Sequence, residues 1–127
     1  MKKLLLLLIS AVALMSCKTA PTQLGQKTGL PGKSIATIAP ALYSDALASL
    51  TMWMKNSQQC ELVEVLDTQG ISEEGEILMD ETGRLFSGVV KEKWIVSGCD
   101  KVYNLAMVFQ PDGKGGNFIG IANISPE

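Results

Sequence analysis

A period-two alternation of apolar and polar residues runs through residues 84–123 with two turns set into it, and such a pattern requires consecutive antiparallel strands. Across 89–96, Val90, Trp94 and Val96 share one face with Glu92 among them, while Val89, Lys91, Lys93 and Ile95 share the other. Ser97, Gly98 and Asp100 supply turn chemistry around Cys99. The alternation then restarts, with Tyr103, Leu105, Met107 and Phe109 on one face and the smaller Val102, Asn104, Ala106 and Val108 on the other. Either face of this pair is open to be the core: the smaller side chains suit a surface beneath a helix or a sheet edge.

The stretch Gln110-Pro111-Asp112-Gly113-Lys114-Gly115-Gly116 is the strongest turn signal in the chain, because Pro presets one backbone angle and Gly tolerates positive φ. It closes a second hairpin onto 117–123, where Ile119 and Ile121 pack and Gly120 permits a bulge or a close backbone approach. A phosphate loop would need a Lys and a hydroxyl residue opening a helix after the glycines, and here no Gly-Lys-Ser or Gly-Lys-Thr appears and no helix is expected to follow. A calcium loop would need several oxygen ligands, and Asp112 is the one carboxylate here.

Upstream, Tyr43, Leu47, Leu50 and Met54 recur at spacings of four, three and four behind Pro40, which suits a first helical turn. Ala46 and Trp53 widen the stripe, Asp45 lies early and Lys55 late, as the helix dipole prefers. A helix of about 15 residues is marginal alone, so it has to lie on the sheet. A Met and Trp stripe can also mark a binding groove, although core packing is the simpler account.

The first residues carry a different message. Lys2 and Lys3 precede an apolar run from Leu4 to Met15 that is too short to span a bilayer permanently, the layout of a secretory signal peptide. The run ends in Leu14-Met15-Ser16-Cys17, which resembles the lipobox of bacterial lipoproteins. The resemblance implies cleavage before Cys17, acylation of its sulfur and a permanent membrane anchor, since two or more acyl chains hold stably where one is marginal. In the sorting of the lipoproteins that this motif resembles, Lys18 in place of an Asp implies the periplasmic face of the outer membrane. A second resemblance joins Glu92-Lys93-Trp94-Ile95-Val96-Ser97-Gly98-Cys99 to Tyr103 and Phe109-Gln110-Pro111-Asp112-Gly113. It is to small uncharacterised envelope lipoproteins of Gram-negative bacteria, in which a Trp strand runs into a Cys turn; it concerns fold and implies no activity.

Removal of residues 1–16 leaves 111 of the 127 residues, enough for one small domain. Without Lys2 and Lys3 the eleven basic residues fall to nine against thirteen acidic ones, a balance of −4. Nucleic acid is therefore not an expected partner. Residues 18–39 are rich in Pro, Gly, Thr, Gln and Ser and read as a flexible tether with a reach on the order of 25 Å. Residues 34–39 are apolar enough to form a short strand or to dock on the domain.

Apart from Cys17, the chain has Cys60 and Cys99, and two cysteines in an exported protein most simply form one disulfide. Closing a loop of about 40 residues stabilises by roughly 4 kcal/mol in the chain-entropy model. With no histidine and no CxxC pair, a metal centre lacks ligands and a His-dependent base or triad is ruled out. Between 67 and 83, Glu73, Glu74, Glu76, Asp80 and Glu81 surround Ile77-Leu78-Met79, which reads as a solvated acidic loop holding a short strand. Those acids, with Glu73, Glu74 and Glu76 foremost, offer a face to a basic protein partner. A catalytic carboxylate pair would need two acids in a cleft with environments that separate their pKa values.

The expectation is thus a signal peptide (1–16), a lipidated tether (17–39) and a single α+β domain (40–127). In that domain one helix packs on an antiparallel sheet of four to five strands with one Cys60–Cys99 disulfide. The expected function is non-enzymatic and without cofactor: an envelope-anchored lipoprotein that binds a protein partner or supports an envelope assembly. The alternative is an inhibitor of a lysozyme-like hydrolase, whose basic surface would suit the acidic stretch. A carboxylate-dependent enzyme acting on glycan is a third class.

Overall fold

The computed structural model describes residues 23–124. The expected signal peptide and Cys17 lie outside the described residues. One α-helix, α1 (Pro40–Trp53), precedes four strands: β1 (Leu62–Met79), β2 (Leu85–Gly98), β3 (Lys101–Pro111) and β4 (Asn117–Asn123). They form one antiparallel sheet in the order β1-β2-β3-β4, and α1 packs on one of its faces. The fold is α+β.

Cross-strand register decides which face is the core. Val90 lies opposite Phe109, Trp94 opposite Leu105 and Val96 opposite Tyr103, so the two alternating sets of large residues share one face. All six are buried, together with Leu42, Ala46, Leu50 and Met54 from α1 and the turn that follows it. The helical stripe lies one step around from the expected Tyr43 and Leu47, which are half-buried. This helix is apolar around most of its circumference, so spacing alone does not single out the inward row, and the small Ala46 lets the axis sit close to the sheet.

The turns follow their local chemistry. Cys99 and Asp100 both have positive φ, 53° and 60°, the backbone of a primed two-residue hairpin whose twist matches the strands. This places Cys99 against Cys60, with a Cα–Cα separation of 5.7 Å, and the two are joined as a disulfide. In the turn between β3 and β4, Asp112 Oδ1 accepts N–H bonds from Lys114 (2.6 Å) and Gly116 (3.0 Å). Those donors hold the Asp112 carboxyl below its ordinary pKa.

The acidic stretch is where the structure departs most from expectation. The expected short strand Ile77-Leu78-Met79 is present, but residues 67–76 before it are not a loop: all belong to the second half of β1, paired with β2 as far as Met79 opposite Leu85. The strand tolerates its glycines and charges because it is an edge strand, and its register shifts five times along β2.

The turn at the far end of this hairpin then reaches the start of α1. Ala39 gives no side-chain cap; instead the carbonyls of Thr82 and Gly83 accept the N–H groups of Ala41 (3.3 Å) and Leu42 (3.2 Å). A Cβ at Gly83 would lie 2.8 Å from Ala39 Cα, and its φ is +88°, so the approach requires glycine. Arg84 Nε donates to Asp45 Oδ2 at 3.1 Å across the same junction.

Replacing Cys60 by Ser opens the bridge between the segment entering β1 and the β2–β3 turn. The melting temperature is expected to fall by on the order of 10 °C. An unchanged melting curve would show that the bridge constrains nothing in the unfolded chain.

Candidate functional site

The part of the expected tether that the structure describes is not free. From Leu24 onward the chain forms a strap over the inner side of the sheet. Leu24 N–H donates to Glu81 O (2.8 Å), Gly25 N–H to Ile38 O (2.7 Å) and Thr28 N–H to Thr37 O (3.0 Å). Ser34 caps a single 3-10 turn, Ile35–Ile38, by accepting from Ala36 N–H at 2.9 Å. The folded unit therefore begins well before Pro40, at the cost of ordering about 16 residues that composition alone would leave mobile.

Two buried polar side chains secure the strap. Thr68, 1 % exposed, donates its hydroxyl to Pro31 O (2.7 Å), accepts from Ser34 N–H (3.0 Å), and its carbonyl accepts from Lys33 N–H (2.9 Å). The strap lies so close here that a Cβ on Gly32 would sit 2.3 Å from Thr68 O, and Gly32 has φ +91°. Glu92, also 1 % exposed, accepts from Ile35 N–H (2.8 Å) through one oxygen and from Trp94 Nε1–H (2.8 Å) through the other. The Ser34 hydroxyl donates to the same carboxylate.

Burial nevertheless pushes the Glu92 pKa above the ordinary glutamate value, with the three donors opposing and the Glu73 charge reinforcing the rise. Beside it lies a cleft of about 220 Å³ lined by Lys33, Gly70, Ser72, Glu73 and Lys91 among others. A pair of carboxylates in a cleft invites acid–base chemistry. Here both Glu92 oxygens are engaged by donors from the strap and from Trp94, so this carboxylate orders the chain around it. Nothing in the sequence beyond an acid on an apolar face pointed to this role.

The three acids expected to form one contact face do not share a face. Glu73 lies opposite Val90 on the inner side, whereas Glu74 lies opposite Val89 on the outer side and pairs with Lys91 at 3.1 Å. Glu76 falls in the shifted register between Glu74 and Leu78 and is exposed. Bulges in β1 set this alternation, and spacing in sequence does not reveal them.

The outer face of the sheet is the larger candidate. It carries Lys93 and Ile95 from β2, Ala106 and Val108 from β3, and Phe118 and Ala122 from β4, all half-buried or exposed. Phe118 and Val102 are each 58 % exposed. This is the smaller-residue face that the sequence allowed to lie beneath a helix, and α1 sits on the other side. An open apolar surface bordered by lysines and containing an aromatic side chain has the composition of a protein contact surface.

Among the described residues, no three His, Cys, Asp or Glu side chains are grouped to hold a metal ion, and no helix is long and apolar enough to cross a membrane. No family model, curated protein or solved structure matches the chain, so function has to be argued from the geometry itself.

Gly32→Ala forces both a strained φ and a backbone collision, and is expected to destabilise by about 1–3 kcal/mol in urea titrations. An unshifted midpoint would mean that the strap lifts away without loss. Glu92 generates a pH signature. The folded protein binds the Glu92 proton more tightly than the unfolded chain, so this group removes stability as pH rises from about 4.3 through the raised folded value. The stability of the native chain minus that of Glu92→Gln should therefore decline over that interval, whatever the offset between the two. A pH-independent difference would contradict the burial effect.

Proposed function

We propose that the chain is a lipid-anchored envelope protein that binds a protein partner through its sheet domain and performs no chemistry of its own. The observation that carries this reading is the division of labour between the two sheet faces. Helix and strap occupy the inner face, while the outer face offers Ile95, Ala106, Val108 and Phe118 together with Lys93. Such a surface costs solubility unless a partner uses it. The buried carboxylate Glu92 is committed to holding the strap, which removes the best-placed acid from any catalytic pair.

Anchoring rests on Leu14-Met15-Ser16-Cys17 and its resemblance to a lipobox, with Lys18 favouring the outer membrane. A diacylated Cys17 would hold the domain at the periplasmic face of that membrane. The inhibitor reading draws on an exposed acidic strand. The separation of Glu73 and Glu74 onto opposite faces, with Glu74 already paired to Lys91, weighs against a single acidic contact surface.

Cys17→Ser should move the protein from the membrane fraction to the soluble periplasm, and persistence in the membrane fraction would remove the anchor. Photo-crosslinking probes at Lys93 and Val108 should capture the same protein, and a probe at Lys55 on the exposed end of the helical segment should not. Equal capture from all three positions would overturn the assignment to the outer face.

A further inference from the structure

The two edges of the sheet are built differently. β1 is bulged, rich in acids and hydrogen-bonded by the strap at Thr68, three devices that discourage another strand from pairing with it. β4, Asn117-Phe118-Ile119-Gly120-Ile121-Ala122-Asn123, is the terminal strand at the opposite edge and has no charge, no proline and no shift in its register with β3. Its backbone direction can be assigned. Ile124 N–H bonds to Asn104 O and Asp112 N–H to Gly116 O, which fixes the narrow pairs at both ends of the ladder. Between them, Phe118, Gly120 and Ala122 bond to β3 by alternation, and Ile119 and Ile121 turn their N–H and C=O groups towards the edge, which no other strand of the described residues covers.

The strand is also close to a palindrome about Gly120. Asn117 mirrors Asn123, Ile119 mirrors Ile121, and the bulky Phe118 mirrors the small Ala122. An antiparallel pairing of two copies about an axis at Gly120 sets Ile119 opposite the partner's Ile121 in a hydrogen-bonded pair on the inner face. On the outer face, Phe118 meets the partner's Ala122, and the two Gly120 residues meet between them. Large thus faces small on both sides of the axis, and aromatic rings flank the glycine pair, an arrangement known to stabilise glycine in strands. No like charges meet, whereas pairing of β1 with itself in this stretch would bring Glu73, Glu74 and Glu76 alongside the same acids of the second copy.

We infer that β4 is a self-association edge, through which two copies of this chain join their sheets into one eight-stranded sheet with two-fold symmetry. This closed, isologous arrangement uses both copies of the open edge and leaves none for further growth there. Seven residues of strand pairing bury less than the roughly 1,200–2,000 Å² of a stable interface, so the dimer is weak in dilute solution and forms at high local concentration. The inference does not depend on what the outer face binds.

The register makes a specific test in the full chain, expressed where the Cys60–Cys99 bridge forms. A Cβ at Gly120 meets only Val108 Cβ at 3.8 Å, so Gly120→Cys is accommodated. It should give a disulfide-linked dimer on non-reducing gels, at least tenfold above the unsubstituted chain. Phe118→Cys alone should not link to itself, whereas chains carrying Phe118→Cys should link to chains carrying Ala122→Cys. Gly120→Lys, which opposes two like charges at the axis, should suppress the Phe118→Cys to Ala122→Cys link while leaving the circular dichroism melt unchanged. Equal linkage at every position, or none at Gly120→Cys together with none between Phe118→Cys and Ala122→Cys chains, would overturn the inference. So would a linked band of foreign mass at Gly120→Cys, which would assign the edge to a strand from another protein.

Discussion

The placement of one ionisable side chain in an apolar layer sets the terms for the rest of this fold. Moving a carboxylate out of water costs several kcal/mol unless donors replace the lost solvent. Glu92 sits on the same strand face as Val90, Trp94 and Val96, where strand alternation obliges it to point inward. Its donors come from Trp94 on its own strand and from Ser34 and Ile35 on the strap, so the core closes only when the strap is in place. Thr68 repeats the logic one strand away with the carbonyl of Pro31 and the amide of Ser34.

The same dependence appears at the start of the helix. Its first amides have no side-chain cap and take their acceptors from the turn between β1 and β2. That turn reaches them because the long hairpin continues past the end of its pairing with β3. Helix, strap and hairpin tip are thus each completed by another element, and none has its backbone groups satisfied in isolation. Arg84 and Asp45 add a half-exposed ion pair at this junction, worth less than about 1 kcal/mol, so it aligns more than it stabilises.

What the sequence disclosed follows from how local each signal is. The strands from 85 to 111, their turns and the Cys60–Cys99 bridge were legible because alternation, Gly and Asp turn chemistry and cysteine parity are short-range or compositional. The inward face could not be chosen, since it depends on the register of Trp94 against Leu105. The strap was hidden because Pro31, Gly32 and their neighbours have the composition of a linker, and the bonds that hold them join residues 34 and 57 positions apart. The second half of β1 was hidden for a related reason: Gly70, Ser72, Gly75 and the glutamates have poor strand propensity, and pairing with β2 overrides it. Of the candidate contact residues, Glu73, Glu74 and Glu76 were recognisable as acids, but bulges decide which way each points.

The strap also governs how the domain meets a mechanical load. A pull on the chain before Gln23 reaches the fold first at the Leu24–Glu81 bond, and then at the pairings of Gly25 with Ile38 and Thr28 with Thr37. The first two are lone backbone bonds and give way under small force, whereas Thr28 also donates its hydroxyl to the carbonyls of Ala36 and Thr37 and holds longer. The buried contacts of Thr68 and Glu92 lie further in and are loaded only after that slack is spent. The domain therefore has a built-in shock absorber: its leading segment extends before the core feels the strain.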